Sequence, residues 1–185
     1  NWIIDTALHQ IQANLSSNLP KLELDFLQGR IGSKQFNQSG NHVQEWTTHR
    51  LNFKLAHQQT VTNPINALWR KYQDLESSEE SNYLQIDEID IGAWANLLGY
   101  LPVDAALRAQ IKEHSPNGKV EQMQFSWKGN WSEPHSYQLD TRFNDLSLNN
   151  IHWGHLTAVN GLSGSVQRTE LEGLLHLDSQ SISLK

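Results

Sequence analysis

The residues that could bind a metal ion or catalyse hydrolysis are few in this chain. His152 and His155 have the spacing of a metal-binding pair, but no further ligands stand beside them in a stretch rich in Gly and Asn. Ser163 lies in Gly-Leu-Ser-Gly-Ser, which lacks the spacing and the strand–turn–helix context of a nucleophile elbow; glycines there fit a turn or a bulge between strands. The sequence therefore predicts no metal site, no cofactor and no enzymatic activity.

Carboxylates and tryptophans offer two further kinds of chemistry. Asp87 with Glu88, and Asp140 with Asp145, are pairs of the type that glycosidases use, but the sequence does not fix their separation. The 7 tryptophans could stack on sugar rings, so a glycan-binding module is one alternative function. Trp131, in a predicted turn, is the best candidate for an exposed ring.

Composition and charge limit the partners. A chain of 185 residues can hold one core or one to two modules, and its net charge of -6 argues against nucleic acid as a partner. The absence of cysteine excludes a disulfide framework and fits either cytoplasm or periplasm. No window approaches the roughly 18 apolar residues of a spanning helix. Since the chain stops at Lys185 within an alternating pattern, we expect a piece of a longer polypeptide, with any membrane anchor elsewhere.

Hydrophobic periodicity predicts a helix before the first strand. Apolar residues recur every three or four positions over residues 3–15, which is typical of an amphipathic helix. Residues 21–29 then alternate as a half-buried strand does, and residues 42–59 offer one or two further strands. The apolar face of the first strand would contain Leu22, Leu24 and Phe26. We treat residues 1–83 as one unit, a helix followed by a β-meander.

The middle of the chain contains one ambiguous segment and a helical pair. Residues 65–75 fit either a short helix or a strand, and a solvated loop follows them. Asp90 is a plausible N-cap for a helix over residues 91–98, which Gly99 can close. A second helix over residues 103–114 has an apolar stripe that should pack on the sheet or cover one end of it.

After Gly118 the pattern predicts an antiparallel meander of at least four strands. One face of these strands is apolar, and polar residues such as Gln124, Gln138 and Asp140 alternate to the other face. The apolar positions are Met123, Phe125, Trp127, Tyr137, Leu139, Phe143, Leu175 and Leu177. Such a face is usually a closed core, as in a structural scaffold, and the alternative is a groove covered by acyl chains.

An ordered set of short motifs marks the second half of the chain. It begins with Trp-Ala-Asn-Leu-Leu-Gly-Tyr-Leu-Pro at residues 94–102 and continues through Pro-Asn-Gly-Lys-Val at 116–120 and Phe-Ser-Trp at 125–127. Arg-Phe at 142–143 and Gly-Leu-Leu-His-Leu-Asp-Ser at 173–179 follow. Together these motifs, over residues 84 to 185, resemble the YhdP family of AsmA-like bacterial envelope proteins.

The resemblance implies a fold and a function beyond the local patterns. Members of that family look like long, curved β-sheet rods with a hydrophobic groove, anchored in the inner membrane and implicated in moving phospholipids toward the outer membrane. For this chain the resemblance implies a periplasmic location, phospholipid acyl chains as partners and no catalytic residues. The groove would be lined by Leu22, Leu24, Phe26, Met123, Phe125, Trp127, Leu139, Phe143, Leu175 and Leu177.

Overall fold

The described residues form one open antiparallel sheet of ten strands with two short helices. The computed structural model describes residues 1–56, 58–59, 61–77, 79–130 and 133–185. The strands are β1 (Trp2–Ala13), β2 (Leu22–Gln38), β3 (Asn41–Leu55), β4 (Ile65–Asp74), β5 (Glu80–Asp90), β6 (Asn117–Asn130), β7 (Glu133–Trp153), β8 (Leu156–Thr169), β9 (Gly173–Leu177) and β10 (Ser183–Leu184). Each strand from β1 to β8 pairs with the next, and both β9 and β10 pair with β8. The predicted β-rich sheet with a helical pair is confirmed.

Both helices lie between β5 and β6. The first, α1 (Ile91–Leu98), begins as predicted, because the Asp90 carboxylate accepts a hydrogen bond of 2.9 Å from the Ala93 backbone N–H. The second, α2 (Ala105–His114), begins later than predicted, since Asp104 is its N-cap. None of its ten residues, all of them described, is buried, but the helix lies against the sheet at β7, where Asn150 Nδ2 donates a hydrogen bond of 2.8 Å to the Glu113 carbonyl.

The main core closes one end of the sheet. Leu97 of α1 packs against Phe53 and Leu55 of β3, and the ring of Trp94 meets that of Phe53 edge to face at 5.4 Å. The buried members of this cluster are Leu22, Leu24, Phe53, Leu55 and Leu97. Helix α1 therefore covers the apolar face where β2 and β3 lie under it.

The predicted helix over residues 3–15 is wrong, because this segment is β1. Leu8 pairs with Leu27 and Ile11 pairs with Leu24, while the intervening Gln10 has a left-handed φ of 53°. The left-handed backbone of Gln10 turns the strand and shifts the alternation by one position, while the register of β1 with β2 is the same on both sides of it. The apolar spacing then becomes three and four residues, which imitates a helix.

Strand β2 is longer than the sequence predicted and contains an irregularity. Its pairing with β3 shifts register between Leu24 and Phe26, so that Leu27 packs against the core cluster in place of Phe26. The chain then continues through Gly29, whose φ is +144°. A Cβ at this position, as in any other residue, would lie 2.6 Å from Leu51 Cα. Only glycine fits this close approach, and the strand passes through it without ending.

Two ambiguous segments resolve as strands with irregular pairing. Residues 65–75, which fitted either a helix or a strand, contain β4. The glycines around Ser163 lie inside β8, where Gly161 has a φ of +79° and the register with β7 shifts on both sides of Leu162. They are bulges rather than a turn between strands.

Candidate functional site

A continuous row of residues that lie opposite one another on neighbouring strands crosses the sheet from β1 to β7. Antiparallel residues that lie opposite each other share one face of the sheet, so the register of the strands identifies the row directly. From β3 onward every member is aromatic or leucine. This central row consists of Trp2, Ser33, Trp46, Trp69, Leu84, Phe125 and Leu139.

Aromatic stacking holds the central row together. The rings of Trp46 and Trp69 stack with centroids 4.6 Å apart at an interplanar angle of 22°. Phe125 stacks on Trp127, two positions along β6, at 5.0 Å and contacts Tyr137 at 6.3 Å. Trp69 nevertheless remains 39% exposed, and the other row members from β2 to β7 are half-buried. The side chains of the row pack against one another along the sheet, and the face that they form remains accessible to solvent.

A second apolar row lies beside the central row, on the side toward the helices. Positions two residues apart on a strand share a face and are roughly 7 Å apart. This aliphatic row consists of Ile4, Ile31, Thr48, Ala67, Ile86 and Met123. It extends the accessible apolar surface toward the core that α1 closes.

The opposite face of the same strands is mostly polar. Gln85, Gln124 and Asp140 lie opposite one another across β5, β6 and β7, each one residue away from the central row. On β3, Glu45 is buried between Lys34 and Arg70, whose nitrogens lie 2.9 and 2.7 Å from its carboxylate oxygens. The predicted alternation of an apolar and a polar face is present in β5, β6 and β7.

The Glu45 ion network makes stability depend on pH. Burial raises the pKa of the Glu45 carboxyl, but the hydrogen bonds and charges of Lys34 and Arg70 outweigh burial and hold that pKa below its ordinary value. A carboxyl with a lowered pKa stabilises the fold above its unfolded-state pKa of about 4.3. This contribution is lost as the pH falls through the folded-state pKa.

We expect Glu45→Gln to lower the free energy of unfolding at pH 7 by about 1–3 kcal/mol, because the two cations lose their shared partner but remain partly solvated. The difference from the unmodified protein should shrink as the pH falls below the unfolded-state pKa of about 4.3. Urea unfolding at pH 7 and pH 3 measures both effects. Glu113→Gln, on the exposed surface of α2, is the control; a difference for Glu45→Gln that persists unchanged at pH 3 would contradict the role of the ion network.

The structure separates the sequence-predicted lining residues into two groups. Leu22 and Leu24, only 8% and 6% exposed, belong to the core under α1. Phe26 belongs to neither group, and its ring lies 6.5 Å from that of His9. Met123, Phe125, Trp127, Leu139 and Phe143 lie together on β6 and β7, and Leu175 and Leu177 extend from β9.

Exposure differs within the second group. Phe125 and Leu139 are opposite each other and half-buried, whereas Trp127 and Phe143 are 7% and 9% exposed. On β9, Leu175 and Leu177 are 59% and 46% exposed. On β6 and β7 the accessible pair is therefore Phe125 and Leu139, and the leucines of β9 are more exposed than either.

Sequence reasoning missed the members of the row on β3 and β4. Trp46 and Trp69 were only two of the seven tryptophans considered for sugar stacking. Their alignment depends on the register of β3 with β4 and of β4 with β5. The only local signal was the apolar alternation within each strand.

The other sequence candidates do not form a site in the part of the chain that the structure describes. Trp131 and the side chain of His152 lie outside the described residues. Glu88 accepts hydrogen bonds from Lys119 at 3.0 Å and from Asn63 at 2.7 Å, and these hold the pKa of its carboxyl below the ordinary value. Such a carboxylate is ionised at neutral pH and suits surface ion pairing better than general-acid chemistry.

No three His, Asp or Glu side chains are grouped as metal ligands among the described residues.

A cleft of about 860 Å³ lies between α1, α2 and the segment before β4. Its walls include Asn96, Asn117, Lys112 and Arg108. The Arg108 guanidinium donates a hydrogen bond of 3.3 Å to the carbonyl of Leu101, which anchors the loop between the helices. The cleft is mixed in polarity and is separate from the central row.

The fold and this face define a β-rich protein with an open sheet that is apolar on one side and polar on the other. Comparison with protein families matches all of residues 1–185 to the family described as YhdP protein. The chain belongs to the YhdP family, a family of AsmA-like bacterial envelope proteins. The match includes residues 1–83, which sequence inspection related to the family only in general character.

No curated protein and no solved structure matches the chain significantly. Within the described residues, neither helix has the length and apolar character needed to cross a membrane.

Proposed function

We propose that the apolar face of the sheet carries the acyl chains of phospholipids between the inner and outer membranes. The chain would act as a periplasmic segment of an inner-membrane-anchored lipid-transfer protein. Passage would be passive along the sheet. The observation that supports this proposal best is the continuity of the central row, which is apolar at every strand from β3 to β7.

The dimensions of this face suit an acyl chain. Neighbouring strands are about 4.8 Å apart, so the uninterrupted part of the row extends for about 19 Å. Each methylene group that leaves water for such a surface gains about 0.8 kcal/mol. The exposure of Trp69, at 39%, supports the proposal that a ligand reaches this surface.

Site-specific photocrosslinking in cells tests the proposal. A photoreactive residue in place of Leu84 or Phe125 should give phospholipid adducts that mass spectrometry identifies. The matched controls are Gln85 and Gln124, which are adjacent in sequence to Leu84 and Phe125. They lie opposite each other on the polar side of the sheet. Adducts to protein alone at the apolar positions would support the alternative function, a structural scaffold with a closed core.

A further inference from the structure

The accessible apolar face changes polarity in a fixed order along the strands. On the side of the central row away from the helices lies a polar row over β2 to β5, formed by Gln35, Gln44, Lys71 and Asn82. Beyond it, His42, Gln73 and Glu80 lie opposite one another on the same face. Over β2 to β5, from the hairpins toward α1, the face is therefore polar, then aromatic, then aliphatic, and finally closed core; on β6 and β7 the polar row continues as Trp127 and Tyr137.

Trp69 marks the boundary between the polar and apolar parts of this face. Its ring belongs to the stacked central row, and its Nε1 donates a hydrogen bond of 3.3 Å to Asn82 Oδ1 in the polar row. Tryptophan with one apolar side and one polar contact is the side chain that concentrates at membrane–water interfaces. The boundary thus has the chemistry of the junction between lipid tail and headgroup.

The polar side of this boundary contains one cation and one anion close together. Lys71 Nζ lies 2.8 Å from Glu80 Oε1, and their side chains are 33% and 43% exposed. A neutral pair of this kind complements a headgroup that has both a phosphate and an ammonium group. It gives no net attraction for a headgroup with only negative charge.

We infer that Lys71 and Glu80 bind the headgroup of a zwitterionic phospholipid, with the phosphate at Lys71 and the ammonium at Glu80. This inference rests on the proposed function. The lipid lies with its headgroup toward the hairpins that join β2 to β3 and β4 to β5. Its acyl chains extend across the central and aliphatic rows toward α1, where the closed core prevents them from going further.

The orientation is tested by locating the bond in each adduct. A photoreactive residue at Gln44, in the polar row, should attach to the headgroup or glycerol of a phospholipid. The same residue at Ile86, in the aliphatic row, should attach to an acyl chain. Attachment to acyl chains at both positions overturns the orientation, and the absence of phospholipid adducts at both positions contradicts the proposed function itself.

The headgroup preference is tested by changing the charge of the pair. Glu80→Lys changes the charge of the Lys71–Glu80 pair from zero to +2, so the ratio of anionic to zwitterionic phospholipid in adducts at Phe125 should rise about two- to fivefold. Asp5→Lys is the control, since Asp5 forms an exposed ion pair with Arg30 at 2.7 Å on the opposite face. An unchanged ratio in Glu80→Lys, with phospholipid adducts still present, overturns the headgroup site and leaves the proposed function standing.

Discussion

Phe53→Ala is expected to lower the free energy of unfolding by about 3–5 kcal/mol, because it removes a ring from a closed core. Phe53 is 2% exposed and packs against Leu97 and the edge of Trp94. The cavity would lie under α1, where the sheet cannot collapse without moving the helix. Urea unfolding followed by tryptophan fluorescence measures the loss.

Phe125→Ala is the matched comparison, with the same side chain removed from the accessible face. Phe125 is half-buried, so its truncation should cost only about 1–2 kcal/mol in the absence of lipid. The difference between the two variants measures how open the face is around Phe125. Equal losses would mean that this region is closed core, and the scaffold function would then replace lipid transfer.

Local signals were sufficient for some elements of this fold. Helix α1 was predicted at its observed residues because a capping aspartate and a closing glycine define both ends within the sequence itself. Gly99 donates its backbone N–H to the Asn96 carbonyl at 3.2 Å, as a helix end requires. The strands after Gly118 were predicted because apolar and polar residues alternate over residues 123–127 and 137–143, which lie between the irregular positions of β6 and β7.

The errors arose where irregular residues interrupt a regular period. A single left-handed residue, Gln10, made a strand look helical, and the register shift after Leu24 placed Phe26 away from the core that contains Leu22. Bulges depend on the pairing of two strands, so one strand's pattern does not reveal them.

The candidate site was predicted only in part for a related reason. Phe125 and Leu139 were identified from alternation within their own strands. Trp46 and Trp69 contribute to the same row through the register of the hairpin that joins β3 and β4, which is a tertiary property. The sequence shows which face of each strand is apolar, and the register determines whether those faces form one continuous surface.

Trp69→Glu is expected to stop lipid passage with little loss of stability. Because Trp69 is 39% exposed, the new carboxylate stays hydrated in the lipid-free protein, and the cost to folding should be about 1 kcal/mol. An acyl chain that crosses β4 would have to desolvate this charge, at a cost on the order of 2 kcal/mol or more. The yield of phospholipid adducts at Phe125, two strands away, should therefore fall at least about tenfold.

Two control variants separate the effect of charge from that of lost packing. Trp69→Leu removes the stack with Trp46 but keeps the row apolar, so adduct yields at Phe125 should remain within about threefold of the unmodified protein. Leu68→Glu places the same charge on the neighbouring residue, which faces Thr47 and Gln85 on the polar side. If Trp69→Glu leaves the adduct yield as high as Leu68→Glu does, lipids reach Phe125 without passing Trp69, and passage does not follow the central row across β4. If only Trp69→Glu lowers the yield, the continuity of the apolar row is what lets a lipid cross the sheet.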